Sequence, residues 1–326
     1  MTELAITPEV FPIAGSFTIS RGSRTESPVV TASLLDGNRR GWGECFPLPR
    51  YGESVDSVVE TLNGVWDEIL GGLDREGLQQ RLPAGAARNA LDCAFWDLEA
   101  KRAGVPVHAL AGLPEPQPLV TAYTLSLADP ATMREKAQAN AHRPLLKLKL
   151  GGEGDIARLE AVRQGAPNAR IIVDANESWT PDLYRELAPV LIRLGVAMVE
   201  QPLPAGKDEA LAEMERPLPV CADESCHDCE TLGPLKGRYD MINIKLDKTG
   251  GLTEALALKD EALSAGFKVM VGCMVGSSLA MAPAVLVGQG ATFVDLDGPL
   301  LLARDREGGL VYDEKGVHPA LPALWG

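Results

Sequence analysis

Eight short apolar runs, separated by segments of helical composition, constrain this chain more than any other feature. The runs are PLVTAYTLSL, PLLKLKL, RIIVD, GVAMVE, LPVCAD, YDMINIKL, FKVMVG and ATFVDLD. Between them lie segments such as DIARLEAVRQGA, PDLYRELAPVLIRLG and GLTEALALKDEALSAG. Near-continuous apolar runs suit strands buried on both faces, and parallel pairing needs a helical crossover between successive strands. About eight such units predict a closed parallel barrel. The region, 118–303, is shorter than the roughly 250 residues of a full barrel, so one helix is expected to be missing or replaced.

Active sites of such barrels form at the carboxyl ends of the strands. The residues there are Lys147 and Lys149, Asp174, Glu200, Asp223, Lys245, and Asp295 with Asp297. Lys149, Asp174, Glu200, Asp223 and Lys245 are separated by 25, 26, 23 and 22 residues, which places them on consecutive strands around one mouth. A single carboxylate at a strand end commonly caps the next helix. Three in register repel one another unless a cation holds them, and an all-oxygen set favours Mg2+ over zinc.

In LLKLKL, Lys147 and Lys149 share one face and the leucines take the other. Lysine in a doubly buried strand is costly unless it reaches a cavity or lies past the strand end. Lys245 repeats the pattern with three strands between, nearly opposite Lys149. Nearby cations, the metal included, are expected to lower the pKa of these lysines and let them act as bases. Two such bases on opposite faces of one carbon describe a 1,1-proton transfer.

The N-terminal region reads differently. Residues from about 2 to 45 alternate β-type runs with turns, which predicts a small antiparallel sheet. Two helices are expected next, one over about 55–70 and one over AARNALDCAFWDLEAKRAG, ended by Gly104 and Pro106. LPEPQP reads as a linker. The division expected is 1–115, an α+β capping domain; 116–303, the catalytic barrel; and 304–326, a segment returning to the cap.

The net charge of −14 argues against nucleic acid as a partner, since phosphate binding wants a basic face. No run is long enough for a membrane helix, and MTELAITPEV lacks the basic start and apolar core of a signal peptide. The six scattered cysteines then read as cytoplasmic thiols, with the group Cys221, Cys226 and Cys229 too irregular for a zinc site. A homo-oligomer is compatible with all of this.

The series Lys147-x-Lys149, Asp174 (VDANESW), Glu200 (VEQPLP), Asp223 (ADES) and Lys245 (NIKLDKTGG) resembles the enolase superfamily, in its muconate-lactonizing subgroup. GWGEC and AGVPVHALAG are similar to that family's cap, so the likeness covers nearly the whole chain. It implies an α/β fold, a modified (β/α)7β-type TIM barrel with an N-terminal α+β capping domain. It implies Mg2+ on Asp174, Glu200 and Asp223, and an enediolate formed by a Lys or His base, a general scheme of that superfamily and not one read from this sequence. Lys149 and Lys245 become the acid/base pair, and Lys147 adds positive charge beside the substrate carboxylate.

None of the four histidines falls at a strand end, which favours the two-lysine version. Asp295-Leu-Asp297 resembles the pair by which dipeptide epimerases grip an α-ammonium group, and paired carboxylates suit a cation. Arg24 lies where glutamate-specific members place an arginine, although a surface hairpin arginine reads the same way. PRYGES suits a mobile flap, and Gly276 stands where some relatives carry an acid. The function expected is Mg2+-dependent epimerisation of an L-Ala-D/L-Glu-type dipeptide, serving murein peptide recycling. The rivals are a lyase of the same superfamily, of o-succinylbenzoate synthase or cycloisomerase type, and a non-catalytic metal-binding barrel.

Overall fold

The computed structural model describes residues 2–326. Strands β1 (Glu3–Ile19), β2 (Gly22–Asp36) and β3 (Arg39–Cys45) form an antiparallel sheet in that order. The GWG of β3 has a packing reason. A Cβ on Gly41 would sit 2.1 Å from the Ala94 carbonyl oxygen, and one on Gly43 2.1 Å from that of Ala90. Without side chains there, the helix that carries Ala90 and Ala94 lies directly on the strand.

The single helix expected over 55–70 is two, α1 (Val55–Gly64) and α2 (Trp66–Leu70), broken at Val65. Asn63 and Gly64 are poor helix formers, which weakens the chain at that joint. A further helix, α3 (Arg75–Arg81), starts at Asp74, whose side chain accepts from the Gly77 amide. Helix α4 (Ala86–Ala103) ends at Gly104 in the left-handed conformation. It is buried on both sides: Ala90, Leu91, Phe95 and Leu98 face the cap core, while Cys93 and Trp96 join the barrel core. A fully buried leucine such as Leu91 contributes about 1.5–3 kcal/mol. Helix α5 (Val107–Leu110) follows.

The eight strands are β4 (Tyr123–Leu125), β5 (Leu145–Lys149), β6 (Arg170–Asp174), β7 (Val196–Glu200), β8 (Val220–Ala222), β9 (Met241–Ile244), β10 (Lys268–Gly272) and β11 (Phe293–Asp295). They pair in parallel with their sequence neighbours, and the Ala122 amide donates to the Val294 carbonyl at 2.8 Å where the ends of the sheet meet. Helices α6 (Pro130–Ala139), α7 (Asp155–Gly165), α8 (Pro181–Arg193), α9 (Cys229–Leu232), α10 (Leu246–Thr249), α11 (Leu252–Ser264), α12 (Ser278–Gly288) and α13 (Gly298–Leu301) complete it. The shortening falls at two crossovers: β7 to β8 carries one 3-10 turn, Glu209–Ala212, and β8 to β9 the four-residue α9 followed by a 3-10 turn, Gly233–Leu235.

One residue from each strand, or from just before it, forms an apolar floor inside the barrel: Ala122, Leu145, Ile172, Met198, Cys221, Met241, Met270 and Phe293. Strand alternation then brings the residue two positions on to the next inner layer. That layer is Thr124, Lys147, Asp174, Glu200, Asp223, Asn243, Gly272 and Asp295. After α13 a small hairpin, β12 (Tyr312–Asp313) and β13 (Gly316–Val317), bridges to Leu119. The tail closes on α4, with Trp325 Nε1 donating to the Cys93 carbonyl and the Gly326 amide to Asp97 Oδ1. Among the described residues no helix is long and apolar enough to cross a membrane.

Candidate active site

Above the floor lies a cavity of about 490 Å³, within the range of small-ligand sites. Lys147, Lys149, Asp223, Lys245, Asp295 and Asp297 line it from the barrel, and Arg21, Arg24, Phe46, Leu48 and Tyr51 from the cap. Asp174 and Glu200 are different. Both are fully buried beneath Lys147, whose Nζ lies 2.7 Å from Glu200 Oε2, 3.4 Å from Asp174 Oδ2 and 2.7 Å from Asp295 Oδ2. The strand pattern alone placed all three carboxylates at the mouth; the long Lys147 side chain covers two of them.

Oxygen atoms of Asp174, Glu200 and Asp223 come within 4.8 Å of one another. Glu200 Oε2 is buried and makes no hydrogen bond despite the nearby ammonium, and burial followed by the Asp174 charge pushes its carboxyl up to about 7. A hard divalent cation fits this donor set of three buried carboxylates with no sulfur or imidazole among them.

Each of these carboxylates also has a fixed partner. Asn176 donates its amide to Asp174 Oδ1 at 2.9 Å and its Nδ2 to Oδ2 at 3.2 Å. Asn243 Nδ2 donates to Glu200 Oε1 at 2.7 Å. Lys248 Nζ donates to Asp223 Oδ1 at 2.7 Å and to its carbonyl at 2.6 Å. The sequence did carry signals for these: Asn176 follows Asp174 by two, Asn243 precedes Lys245 by two on the same strand face, and Lys248 stands in KLDK.

Lys149 Nζ pairs with Asp174 Oδ2 at 2.6 Å, and Lys245 Nζ with Asp223 Oδ2 at 2.7 Å. Burial lowers the Lys245 ammonium pKa, but Asp223 and Glu200 outweigh it and raise the group above its ordinary value; at Lys147 burial is likewise outweighed, by Asp295, Glu200 and Asp174, which hold it well above its ordinary value. That direction is opposite to the lowering argued from cations alone, because the carboxylates themselves face the lysines. A divalent ion among them would oppose their field.

At the last strand, β11 stops at Asp295 and Asp297 opens α13, so the two are not on one extended strand. Both still line the cavity. Asp295 is engaged by Lys147, while Asp297 Oδ2 accepts from the Thr124 amide at 2.6 Å, and burial with the Asp295 charge pushes Asp297 up to about 7.

The cap supplies three arginines to the cavity, of unlike character. Arg21 Nη1 and Nη2 reach Glu177 at 2.9 Å and Glu224 at 2.7 Å, and Arg50 also reaches Glu177. Arg24 has no carboxylate within ion-pair distance among the described residues. Its guanidinium lies 5.0 Å from the Phe46 ring, and burial, with the charge of Arg21, lowers its pKa. At Gly276, a Cβ would come 3.2 Å from Glu44 Oε1, so a cap carboxylate already occupies the space an acid would need.

Residues 132–302 match the family model described as enolase C-terminal domain-like, and residues 1–112 the mandelate racemase / muconate lactonizing enzyme N-terminal domain. The chain is 47% identical to the L-Ala-D/L-Glu epimerase of Escherichia coli (strain K12), covering 98% of this chain and 100% of that one. It is 44% identical to the N-acetyl-D-glutamate racemase of a Pseudoalteromonas species, covering 91% and 95%. A solved enolase-family structure from Agrobacterium tumefaciens, with homology to dipeptide epimerases and with sodium and L-Ala-L-Glu bound, superposes with a TM-score of 0.98 at 57% identity over all of both chains. The dipeptide epimerase of Enterococcus faecalis V583, complexed with Mg and L-Leu-L-Tyr, gives 0.90 at 28% identity, covering 98% and 96%. The sequence motifs, the eight-stranded barrel with its sheet cap and both family models agree: this chain belongs to the mandelate racemase/muconate lactonizing enzyme family of enolase-like proteins.

Proposed function

We propose that the chain is a Mg2+-dependent dipeptide epimerase that inverts the α-carbon of the C-terminal residue, with glutamate preferred there. One observation carries this reading. Two lysines from opposite strands, Lys149 on β5 and Lys245 at the end of β9, border a cavity that has a carboxylate pair at one strand end and a cap arginine with no carboxylate partner among the described residues. The relatives named above support it.

In this reading Asp174, Glu200 and Asp223 hold Mg2+, which supplies electrophilic stabilisation of the charge developing on the substrate carboxylate. Lys147 adds a fixed positive charge beside that carboxylate. Either Lys149 or Lys245 removes the α-proton, depending on the configuration presented, and the other returns a proton to the opposite face of the enediolate. Asp295 and Asp297 take the α-ammonium group, and Arg24 takes the side-chain carboxylate. The cap, residues 1–115, closes the cavity over the barrel, 116–303, and 304–326 ties the two together. A cytoplasmic enzyme of murein peptide recycling, with neither nucleic acid nor membrane as partner, completes the proposal.

Incubation with Mg2+ and L-Ala-L-Glu in D2O should place deuterium at the glutamyl α-carbon; absence of exchange with any dipeptide of a broad library would remove the epimerase reading. A second reading, racemisation of N-acylglutamate, is favoured by one contact set. Asp295 Oδ2 already has Lys147 and Asp297 Oδ2 the Thr124 amide, so an uncharged acyl group would leave each carboxylate with one held oxygen, Asp295 Oδ1 being the buried atom without a donor. Exchange of N-acetylglutamate at a kcat/KM above that of L-Ala-L-Glu would install this second reading in place of the first.

A further inference from the structure

We propose that Lys248 is a positioning residue for the metal centre, which fixes Asp223 so that one defined oxygen faces the ion. The inference rests on the reading of Asp223 as a metal ligand. Lys248 is 2% exposed and does not border the cavity, so it has no access to substrate. Its ammonium makes three short contacts: the Asp223 carbonyl at 2.6 Å, Asp223 Oδ1 at 2.7 Å and the Asn243 carbonyl at 2.9 Å. These use all three donors of the group. They clamp the main chain and side chain of Asp223 together and tie both to β9.

The backbone of Asp223 is held from the other side. Gln201 Oε1 accepts from the amides of Asp223 and Ser225, while its Nε2 reaches the Leu203 carbonyl, Ser225 Oγ and the Tyr239 hydroxyl. With Oδ1 committed to Lys248, only Oδ2 of Asp223 is left to face the centre, where it meets Lys245. The carboxylate is thereby restricted to binding an ion through one oxygen. Strand β8 ends at Ala222, so Asp223 lies beyond the last ladder residue and depends on these contacts for its aim.

Charge and geometry make opposite predictions, which makes the proposal testable. Considered as a charge alone, Lys248 repels a divalent cation, and removing it should tighten Mg2+ binding. As a positioning group it holds a ligand in place, and its removal should weaken binding, typically by ten- to a hundredfold for such outer contacts. The test is calorimetric titration of the full-length protein with Mg2+ alone, without substrate. Lys248→Met, of similar length and without charge, should raise the Mg2+ dissociation constant about tenfold or more, and Lys248→Arg should recover most of the loss.

A Lys248→Met dissociation constant equal to or below that of the wild type overturns the proposal. So does a Lys248→Arg variant as weak as Lys248→Met, because packing rather than the cationic donor would then be responsible. Should Lys248→Met fail to fold by circular dichroism, Lys248→Gln carries the same expectation, since its two amide donors can satisfy the two buried carbonyls but leave none for Asp223 Oδ1. Asp223→Asn is the control: if it binds Mg2+ like the wild type, the ligand assignment itself falls. If it loses binding while Lys248→Met does not, only the positioning role does.

Discussion

Replacing Arg24 by glutamine tests the substrate preference more directly than any change at the metal. Arg24 is a half-buried cation 5.0 Å from the Phe46 ring, and burial depresses its pKa, so the folded protein carries a desolvation cost there that no carboxylate among the described residues offsets. A substrate γ-carboxylate would offset it. A charged, partly buried hydrogen bond contributes about 1.5–3 kcal/mol, which corresponds to a loss of roughly 10- to 150-fold in kcat/KM when the guanidinium is removed. For L-Ala-L-Met, of similar length but uncharged, the same substitution should leave kcat/KM unchanged or raise it, because an unpaired cation no longer opposes an apolar side chain. The assay is deuterium incorporation from D2O with both dipeptides at limiting concentration. The quantity that matters is the ratio of the two. Parallel losses would mean that Arg24 supports the hairpin and not the ligand, and an unchanged ratio would refute the argument.

Asp297→Asn should raise KM for L-Ala-L-Glu about tenfold or more while leaving N-acetylglutamate turnover nearly unchanged, since only the dipeptide brings an ammonium group; equal effects on both would remove the clamp. Asp247 is buried and its carboxyl is pushed up to about 7, chiefly by burial. The folded state therefore holds a proton that the unfolded state releases near 4, and the associated stability is present at low pH and lost as pH rises through about 7. Asp247→Asn removes that slope, so the stability of the wild type relative to the variant should fall by about 1.4 kcal/mol per pH unit between pH 5 and 7, followed by urea unfolding. A difference independent of pH would place the titration elsewhere.

The barrel was legible because its signal is periodic. Strand ends 22 to 26 residues apart needed no knowledge of side-chain direction, and Lys147 and Lys149 declared their shared face by sitting two apart in a leucine run. What escaped depends on approach between segments distant in sequence. Arg21 meets Glu224 and Glu177 because the β1–β2 turn folds over the barrel mouth, and nothing in ISRGSR distinguishes Arg21 from Arg24. The covering of Asp174 and Glu200 by Lys147 is set by the reach of a long side chain, which strand alternation does not encode. The break at Val65 and the thin crossovers around β8 arise where local propensity is weak or tertiary packing substitutes for a helix.

The four-residue helix α10 places two successive side chains in different parts of the molecule. Asp247 accepts from the Phe46 amide at 2.9 Å and from Asn89 Nδ2 at 2.8 Å, both in the cap, while Lys248 holds Asp223. With Arg88 donating to the carbonyls of Thr249 and Gly250, this turn is fastened to the cap on one side and to Asp223, the proposed ion ligand, on the other. Thermodynamic reciprocity then requires that whatever an ion gains from a docked cap, the docked cap gains from the ion. Loading the centre should slow amide exchange in α4 and at Phe46, both far along the chain from any proposed ligand, and loosening Asn89 should be felt as a weaker hold on the ion.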